Sequence, residues 1–188
     1  MGFPTENRPK NGNGEKLSTE GQSFIYFLRE KIRMRVRKAT RKELPLLVEL
    51  SEQLNLDHAK RFSSFPRLAK DSRKTKTKYF KSLFGKNNSV FFVAEEKGEV
   101  LGFVLGKEGK DPPVFKETRI GYIGDFYVRP GFRSKGVGRK LFAELKKWFR
   151  QKKFRHIEIG YFSQNKKAKK LYLGMGFRPQ KEILRMKV

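Results

Sequence analysis

The sequence contains no cysteine and only two histidines, and these absences exclude several classes of protein. Without cysteine there is no disulfide framework, no cysteine-ligated zinc ribbon and no cysteine nucleophile. His58 and His156 lie far apart in the sequence and offer little material for a transition-metal site. The chain also lacks an apolar run of about 18 residues and the features of a secretory signal peptide. We therefore expect a cytoplasmic protein that binds no metal and does not contact a membrane.

Acidic residues are also scarce, with 19 aspartates and glutamates against 45 lysines and arginines, which gives a formal net charge of +26. Such a field raises the local concentration of polyanions, which favours a nucleic acid or ribonucleoprotein partner at a basic surface. However, the lysines are spread over many segments, and a lysine-rich proteome or the charged surface of a thermophile would produce the same composition. Both interpretations stay open.

The length of 188 residues predicts one main domain with a substantial core. Residues 1–16 contain almost nothing apolar and are expected to form a flexible tail. Residues 18–33 carry apolar side chains that would form one stripe of a short helix, namely Phe24, Ile25, Phe27, Leu28 and Ile32. We therefore divide the chain into an N-terminal extension, residues 1–33, and a folded domain, residues 34–188.

Hydrophobic periodicity in the folded domain switches between strand and helix patterns, which indicates an α/β fold. Thr40 and Glu43 form a capping box at the start of a helix, and Gly98 marks the turn of a β-hairpin. An irregular connection is expected over residues 57–70. The predicted elements in chain order are a strand at 34–39, a helix from 40, a basic amphipathic helix at 74–84, strands at 90–95, 100–106 and 119–128, a helix at 138–151, and strands at 156–161 and 183–187.

A glycine-bearing loop rich in arginine and lysine joins the strand at 119–128 to the helix at 138–151, and such a junction binds phosphate. A Walker A loop is excluded because Val137 stands where that motif needs lysine. A dinucleotide-binding loop is excluded because Leu141 stands where glycine or alanine is needed. The pattern that remains is Arg133-x-x-Gly136-x-Gly138.

This pattern resembles the acetyl-coenzyme A pyrophosphate loop of the GNAT family of N-acetyltransferases. A second constellation, Asn165-x-x-Ala168-x-x-Leu171-Tyr172, follows at the right distance and resembles the other half of that family's cofactor site. Two motifs in the right order are more specific than either one alone. The resemblance covers about residues 34–188, which would make this segment an N-acetyltransferase domain.

The resemblance implies a GNAT-like fold: a central mixed β-sheet, splayed between the fourth and fifth strands, with helices on both faces. It also implies acetyl-CoA as the cosubstrate, and direct attack of a primary amine on the thioester. Cofactor-binding residues carried over from the family fall into three groups. They are the strand end that pairs with the pantetheine (Phe126, Tyr127 and Val128), the loop and helix start (Arg133, Ser134, Lys135, Gly136, Val137, Gly138 and Arg139), and the second motif (Asn165, Ala168 and Tyr172).

Direct attack needs a base for the amine, donors for the oxyanion and an acid for the leaving thiolate. Tyr172 is the candidate acid, since a phenol with a pKa near 10 can protonate the departing sulfur, and the Val128 N–H is the candidate oxyanion donor. Asp125 is the candidate base, with Glu158, Tyr122 and a water relay as alternatives. An equally open interpretation is that Asp125 is a structural carboxylate paired with a lysine.

The acceptor is expected to be a protein amine, either N-terminal or on lysine, in a nucleic-acid or ribosome-associated setting that suits the charge. A small polyamine-like acceptor is an alternative, because Asp125 to Val128 resemble a strand end of diamine acetyltransferases. A non-catalytic RNA-binding module with the same fold is a second alternative. A homodimer also stays open.

Overall fold

The computed structural model describes residues 34–114, 116 and 119–186, so the predicted extension over residues 1–33 lies outside the described part of the chain. Two short 3-10 turns cover Arg41–Glu43 and Pro130–Phe132. The strands and helices are β1 (Arg35–Lys38), α1 (Leu44–Arg61), α2 (Ser72–Leu83), β2 (Ser89–Glu96), β3 (Glu99–Lys110), β4 (Arg119–Val128), α3 (Val137–Gln151), β5 (Ile157–Ile159) and α4 (Lys166–Gly174).

The strands form one mixed sheet in the order β1-β2-β3-β4-β5. β2 and β4 both pair antiparallel with β3, whereas β5 pairs parallel with β4. This last pairing is short, because only Gly121, Tyr122 and Ile123 of β4 have partners in β5. β4 then continues to Val128 without β5 beside it, so the sheet is splayed between its fourth and fifth strands.

Helices cover both faces of this sheet. On one face, α1 and α2 bury an apolar cluster against β2, β3 and β4 that includes Leu47, Leu50, Phe80, Phe91 and Phe103. On the other face, α3 lies so close to β4 that a Cβ atom on Gly121 would be 2.6 Å from the ring of Phe149. The predicted fold class, a GNAT-like α/β fold with a splayed mixed sheet and helices on both faces, is confirmed.

β4 contains an irregularity where it passes β3. The pair Val104–Phe126 is followed by the pair Gly106–Ile123, so β4 advances by three residues where β3 advances by two. One extra residue in an antiparallel strand is a β-bulge, and this bulge contains Asp125.

The bulge changes which side chains share a face of the sheet. In a regular strand, side chains alternate between the two faces, which would place Tyr122 and Asp125 on opposite faces. Here both side chains lie on the face that α1 and α2 cover. The Lys107 ammonium lies 5.4 Å from the Tyr122 ring and 5.6 Å from the ring of Tyr79 in α2. The Asp125 carboxylate lies 3.2 Å from the ammonium of Lys76 in the same helix.

Several expectations from the sequence are wrong. β3 extends to Lys110, beyond the predicted end at residue 106. α1 continues to Arg61, so the irregular connection that was expected from residue 57 starts later. The last turn of α1 is polar and basic, which suits a helix C-terminus. It was not recognised as helical because it lacks apolar residues at helical spacing. β5 covers only Ile157–Ile159. The strand predicted at 183–187 does not form within the described residues, and Ile183 and Leu184 are exposed. Because β5 is only three residues long, it offers little edge for a further strand to pair with.

The predicted capping box is present and is tied to β1. The Glu43 carboxylate accepts hydrogen bonds from the Thr40 N–H at 2.7 Å and from two Arg37 nitrogens at 2.9 Å. The bonds from Arg37 lower the pKa of Glu43 from its usual value of 4.5 to about 2.

We expect Glu43→Gln to lower the free energy of unfolding by about 1–2 kcal/mol at pH 7. Because the carboxylate's pKa is lower in the folded state than in the unfolded state, its stabilisation is fully present above pH 4.5 and is lost as the pH falls towards 2. Urea unfolding at several pH values measures this. A difference between wild type and variant that stays constant between pH 7 and pH 2.5 would contradict the assignment.

Candidate active site

A cavity of about 1010 Å³ lies where β4 and β5 diverge. It is bounded by the C-terminal half of α1, the second half of β4, the loop that follows β4, and the segment from β5 through α4. The structure therefore brings both sequence motifs to one place. The cofactor-site residues predicted from the resemblance that line this cavity are Phe126, Tyr127, Val128, Arg133, Ser134, Gly136, Gly138, Arg139, Asn165, Ala168 and Tyr172.

The backbone of β4 presents hydrogen-bonding groups to the cavity. The Arg129 N–H donates to the Leu101 carbonyl of β3 at 2.9 Å, and bonding to an antiparallel neighbour alternates from residue to residue. Tyr127 therefore bonds towards β3, while the backbone groups of Phe126 and Val128 point away from β3. The Val128 carbonyl accepts a hydrogen bond from Arg133 Nε at 2.8 Å, so the groups open to a ligand are the Val128 N–H and the N–H and C=O of Phe126. They point into the gap that β5 has left, which is the position that an extended ligand with amide groups can occupy.

The loop after β4 brings the N-terminus of α3 to the same cavity. Ser134 and Gly136 have left-handed φ angles of 64° and 84°, and Gly136 is the residue directly before the helix. The first N–H groups of α3 have no partner in the preceding turn, and the positive end of the helix dipole lies behind them. A Cβ atom on Gly138 would make only ordinary contact, 3.6 Å, with the Phe126 ring. Packing within the protein therefore does not require glycine at this position.

Arg133 holds the loop in place. Its Nε donates to the Val128 carbonyl at 2.8 Å, its Nη2 binds the Asp57 carboxylate of α1 at 2.6 Å, and its guanidinium lies 5.3 Å from the Tyr127 ring. Two of its nitrogens therefore bond to protein atoms and fix the shape of the loop. The role of Arg133 in binding the cofactor, which the resemblance implies, stays a prediction.

The charges around the cavity favour an anionic ligand. Asp57, paired with Arg133, is the one carboxylate among the described residues that line it. The other charged lining residues are basic: Arg61, Arg139, Lys167 and Lys170. Such an imbalance in a concave site concentrates anions.

Tyr172, the last residue of the second motif, lies on α4. The Asn165 side chain caps α4 by accepting a hydrogen bond from the Ala168 N–H at 3.0 Å, and this fixes the helix that carries Tyr172. The Tyr172 ring stacks on Phe126 with a centroid separation of 6.4 Å and also contacts Tyr161. Burial raises the pKa of Tyr172 to about 12, so its hydroxyl is protonated at neutral pH and can donate a proton.

Asp125 is not among the cavity-lining residues, and its carboxylate lies between α1 and α2. Its carboxylate accepts hydrogen bonds from the Ser51 hydroxyl and from Lys76 Nζ, the latter at 3.2 Å. The side chain of Asp125 is only 16% exposed. Asp125 is therefore paired with a lysine, which is the structural alternative to a role as the catalytic base.

Of the remaining predicted site residues, some line the cavity and others do not. Val137 is buried in the first turn of α3, and Lys135 is exposed, with its ammonium 5.5 Å from the Phe132 ring. Of the alternative bases, Tyr122 lines the cavity, whereas Glu158 lies 3.3 Å from the Lys181 ammonium and does not line it.

Sequence analysis did not identify the wall formed by α1. Leu54, Asp57, His58 and Arg61 line the cavity together because their spacing places them on one face of the helix. They were missed because residues from 57 onward were expected to be irregular. That spacing, with one of the chain's two histidines at its centre, was the available signal.

A family model described as "Acetyltransferase (GNAT) family" matches residues 52–177. The chain belongs to this family. The resemblance recognised from the two motifs is confirmed.

Individual relatives agree with this assignment. The chain is similar to an uncharacterized N-acetyltransferase of Methanocaldococcus jannaschii, with 26% identity over 150 residues, covering 80% of this chain but only 62% of that protein. Among solved structures, it resembles a predicted acetyltransferase from Clostridium acetobutylicum with acetyl-CoA (TM-score 0.67, 24% identity, 82% of this chain and 96% of that one). It also resembles an aminoglycoside N-acetyltransferase in complex with CoA (TM-score 0.66, 17% identity, 84% and 95%). At these identities, the structural likeness shows the fold.

Two features are absent from the described part of the chain. Across residues 34–186, apart from the undescribed positions, no helix is long and apolar enough to cross a bilayer. The same part of the chain holds no group of three or more histidine, aspartate or glutamate side chains placed to bind a metal ion.

We expect Asp125→Asn to lower the free energy of unfolding by about 1–3 kcal/mol, because it removes the charge partner of Lys76 in a mostly buried position. Urea unfolding of variant and wild type measures this loss. Lys76→Met, which leaves the carboxylate without its cation, is expected to cost at least as much. If Asp125→Asn left stability unchanged but slowed catalysis about 100-fold or more, Asp125 would instead be the base.

Proposed function

We propose that this protein transfers an acetyl group from acetyl-CoA to a primary amine by direct attack of the amine on the thioester. The observation that supports the proposal most strongly is the convergence at one cavity of three features: the open edge of β4, the N-terminus of α3 and the protonated hydroxyl of Tyr172. Family membership adds independent support.

The cavity offers acetyl-CoA a matching surface along its length. The amide groups of the pantetheine arm would pair with the outward backbone groups of Phe126 and with the Val128 N–H, as an added strand would. The pyrophosphate would bind the N–H groups that follow Gly136 at the start of α3. The cations Arg139 and Lys167 line the same cavity and would neutralise phosphate charge.

Groups of the protein would then assist both the attack of the amine and the departure of the thiolate. An outward N–H of this open edge of β4 would donate to the oxyanion that forms when the amine attacks the carbonyl carbon. The Tyr172 hydroxyl would give its proton to the sulfur as the C–S bond breaks.

The acceptor that we propose is a protein amine, N-terminal or on lysine, because the charge of +26 repels a free polycation and attracts acidic or nucleic-acid-bound assemblies. The structural likeness to an aminoglycoside N-acetyltransferase supports the alternative of a small, amine-rich acceptor. Nucleic-acid binding, cytoplasmic location and a homodimer stay predictions. An acceptor screen with peptides and small polyamines, read out as free thiol, distinguishes the two acceptor classes.

We expect isothermal titration calorimetry to show that purified protein binds acetyl-CoA and that the double variant Arg139→Gln/Lys167→Gln binds it at least tenfold more weakly, a loss of about 1.4 kcal/mol. The matched control removes the same charge from the exposed surface of α2 through Lys74→Gln/Lys78→Gln. If both doubles weakened binding equally, the effect would come from total charge and not from the cavity.

We expect Tyr172→Phe to reduce kcat about 100-fold with little change in acetyl-CoA affinity, because it removes the proton donor but keeps the ring that stacks on Phe126. Tyr79→Phe on α2, outside this cavity, is the matched control. A salt-dependent RNA mobility shift with no acetyl transfer to any amine would contradict the proposed enzyme and favour the RNA-binding module.

A further inference from the structure

The α1 wall of the cavity carries a titratable side chain to which the sequence motifs assign no role. We propose that His58 is the base that accepts the proton lost by the acceptor's ammonium group before attack. This inference rests on the proposed function, since it supplies the base that amine acetylation requires.

The position of His58 suits a group that meets the acceptor. It lies on the cavity face of α1, across from the segment after β5 that also lines the cavity. Its ring is held by three phenyl rings, with centroid distances of 5.5 Å to Phe62, 5.6 Å to Phe65 and 5.5 Å to Phe162. Because Phe162 follows β5, this aromatic contact joins α1 to the far side of the gap and limits the orientations of the imidazole.

The carboxylates nearby are already engaged. Asp57 binds Arg133 at 2.6 Å, and Asp125 binds Ser51 and Lys76 away from the cavity lining. Each of these carboxylates is therefore already paired with a cation of the protein. Among the described residues that line the cavity, His58 is the side chain whose ordinary pKa lies nearest neutrality.

The charges that face His58 come from three elements. On α1, Asp57 raises its pKa and Arg61 lowers it; Asp125 of β4 raises it and Arg133 of the following loop lowers it. Burial is the largest effect and lowers the pKa of His58 below its usual 6.5. The imidazole is therefore neutral at pH 7 and can accept a proton, and this capacity is lost as the pH falls through its pKa.

The reaction balances with this assignment. The acceptor's ammonium gives one proton to His58, which passes it to solvent, and the free amine then forms the C–N bond as the C–S bond breaks. The sulfur takes a proton from the Tyr172 hydroxyl, and the second proton of the original ammonium replaces it. The products are the acetylated amine, the CoA thiol and one proton released to solvent.

The deciding variant is His58→Phe, which keeps an aromatic ring among Phe62, Phe65 and Phe162 but cannot titrate. We expect kcat/KM at pH 7 to fall about 100-fold, with acetyl-CoA affinity and Tm close to those of wild type. Wild-type kcat/KM should fall on the acid side with an apparent pKa below 6.5, and this acid limb should shift or disappear in the variant. His156→Gln, at the chain's other histidine, is the matched control and should keep the wild-type rate and profile.

A second measurement does not depend on turnover. Because the chain has two histidines, NMR titration of the imidazole C–H signals, assigned with His156→Gln, gives the pKa of His58 directly. We expect this value to match the acid limb of the wild-type kcat/KM profile. For His58→Ala, which should be slow for the same reason, added imidazole is expected to restore part of the rate.

Active wild type together with an equally active His58→Phe variant would overturn the inference and leave the proposed function intact. If His58→Phe lost acetyl-CoA binding or folded poorly, His58→Ala would decide, and failure of imidazole to rescue it would count against His58. A titration that places the pKa of His58 well above 7 would also overturn the inference. Wild type that acetylates no amine would contradict the proposed function itself.

Discussion

The early end of the pairing between β4 and β5 is the constraint on which the rest of the site depends. Backbone N–H and C=O groups need partners, and a strand that loses its neighbour after Ile123 leaves one edge available at Phe126 and Val128. A cavity can open there only because β3 continues to hold the other edge of β4 as far as Val128. The loop, the start of α3 and one face of α4 line this gap. One interruption in the sheet therefore creates the place where we propose that both the extended part of the ligand and its phosphates bind.

Burial in this cavity acts in opposite directions on the two groups that we propose as acid and base. Desolvation disfavours the charged form of any side chain, so it raises the pKa of Tyr172 and lowers the pKa of His58. Both side chains are therefore neutral at pH 7, one carrying a proton to give and the other able to accept one. A single physical effect separates the two roles, and no strong ion pair is needed for either.

The features that could be predicted from sequence are those that short segments specify. The cap of α4 at Asn165, the turn at Gly98 and the loop at Gly136 depend on residues within a few positions of one another. The order of the strands followed from their apolar patterns. The end of α1 was misjudged, because Asp57 to Arg61 face the cavity and solvent and carry no apolar period. The bulge at Asp125 was not foreseen either, since it arises from the register between two strands.

The sequence by itself determined the family and the fold class, because two motifs in the right order require little more than local geometry, and it predicts that the loop after β4 binds phosphate. Only the tertiary structure decided which side chains face one another across the gap. It turned Asp125 away towards Lys76, committed Arg133 to Asp57 and brought His58 beside Phe162, more than 100 positions later in the chain. Those contacts depend on strand register and on how α1 packs against the sheet, and neither is encoded within any one stretch of residues.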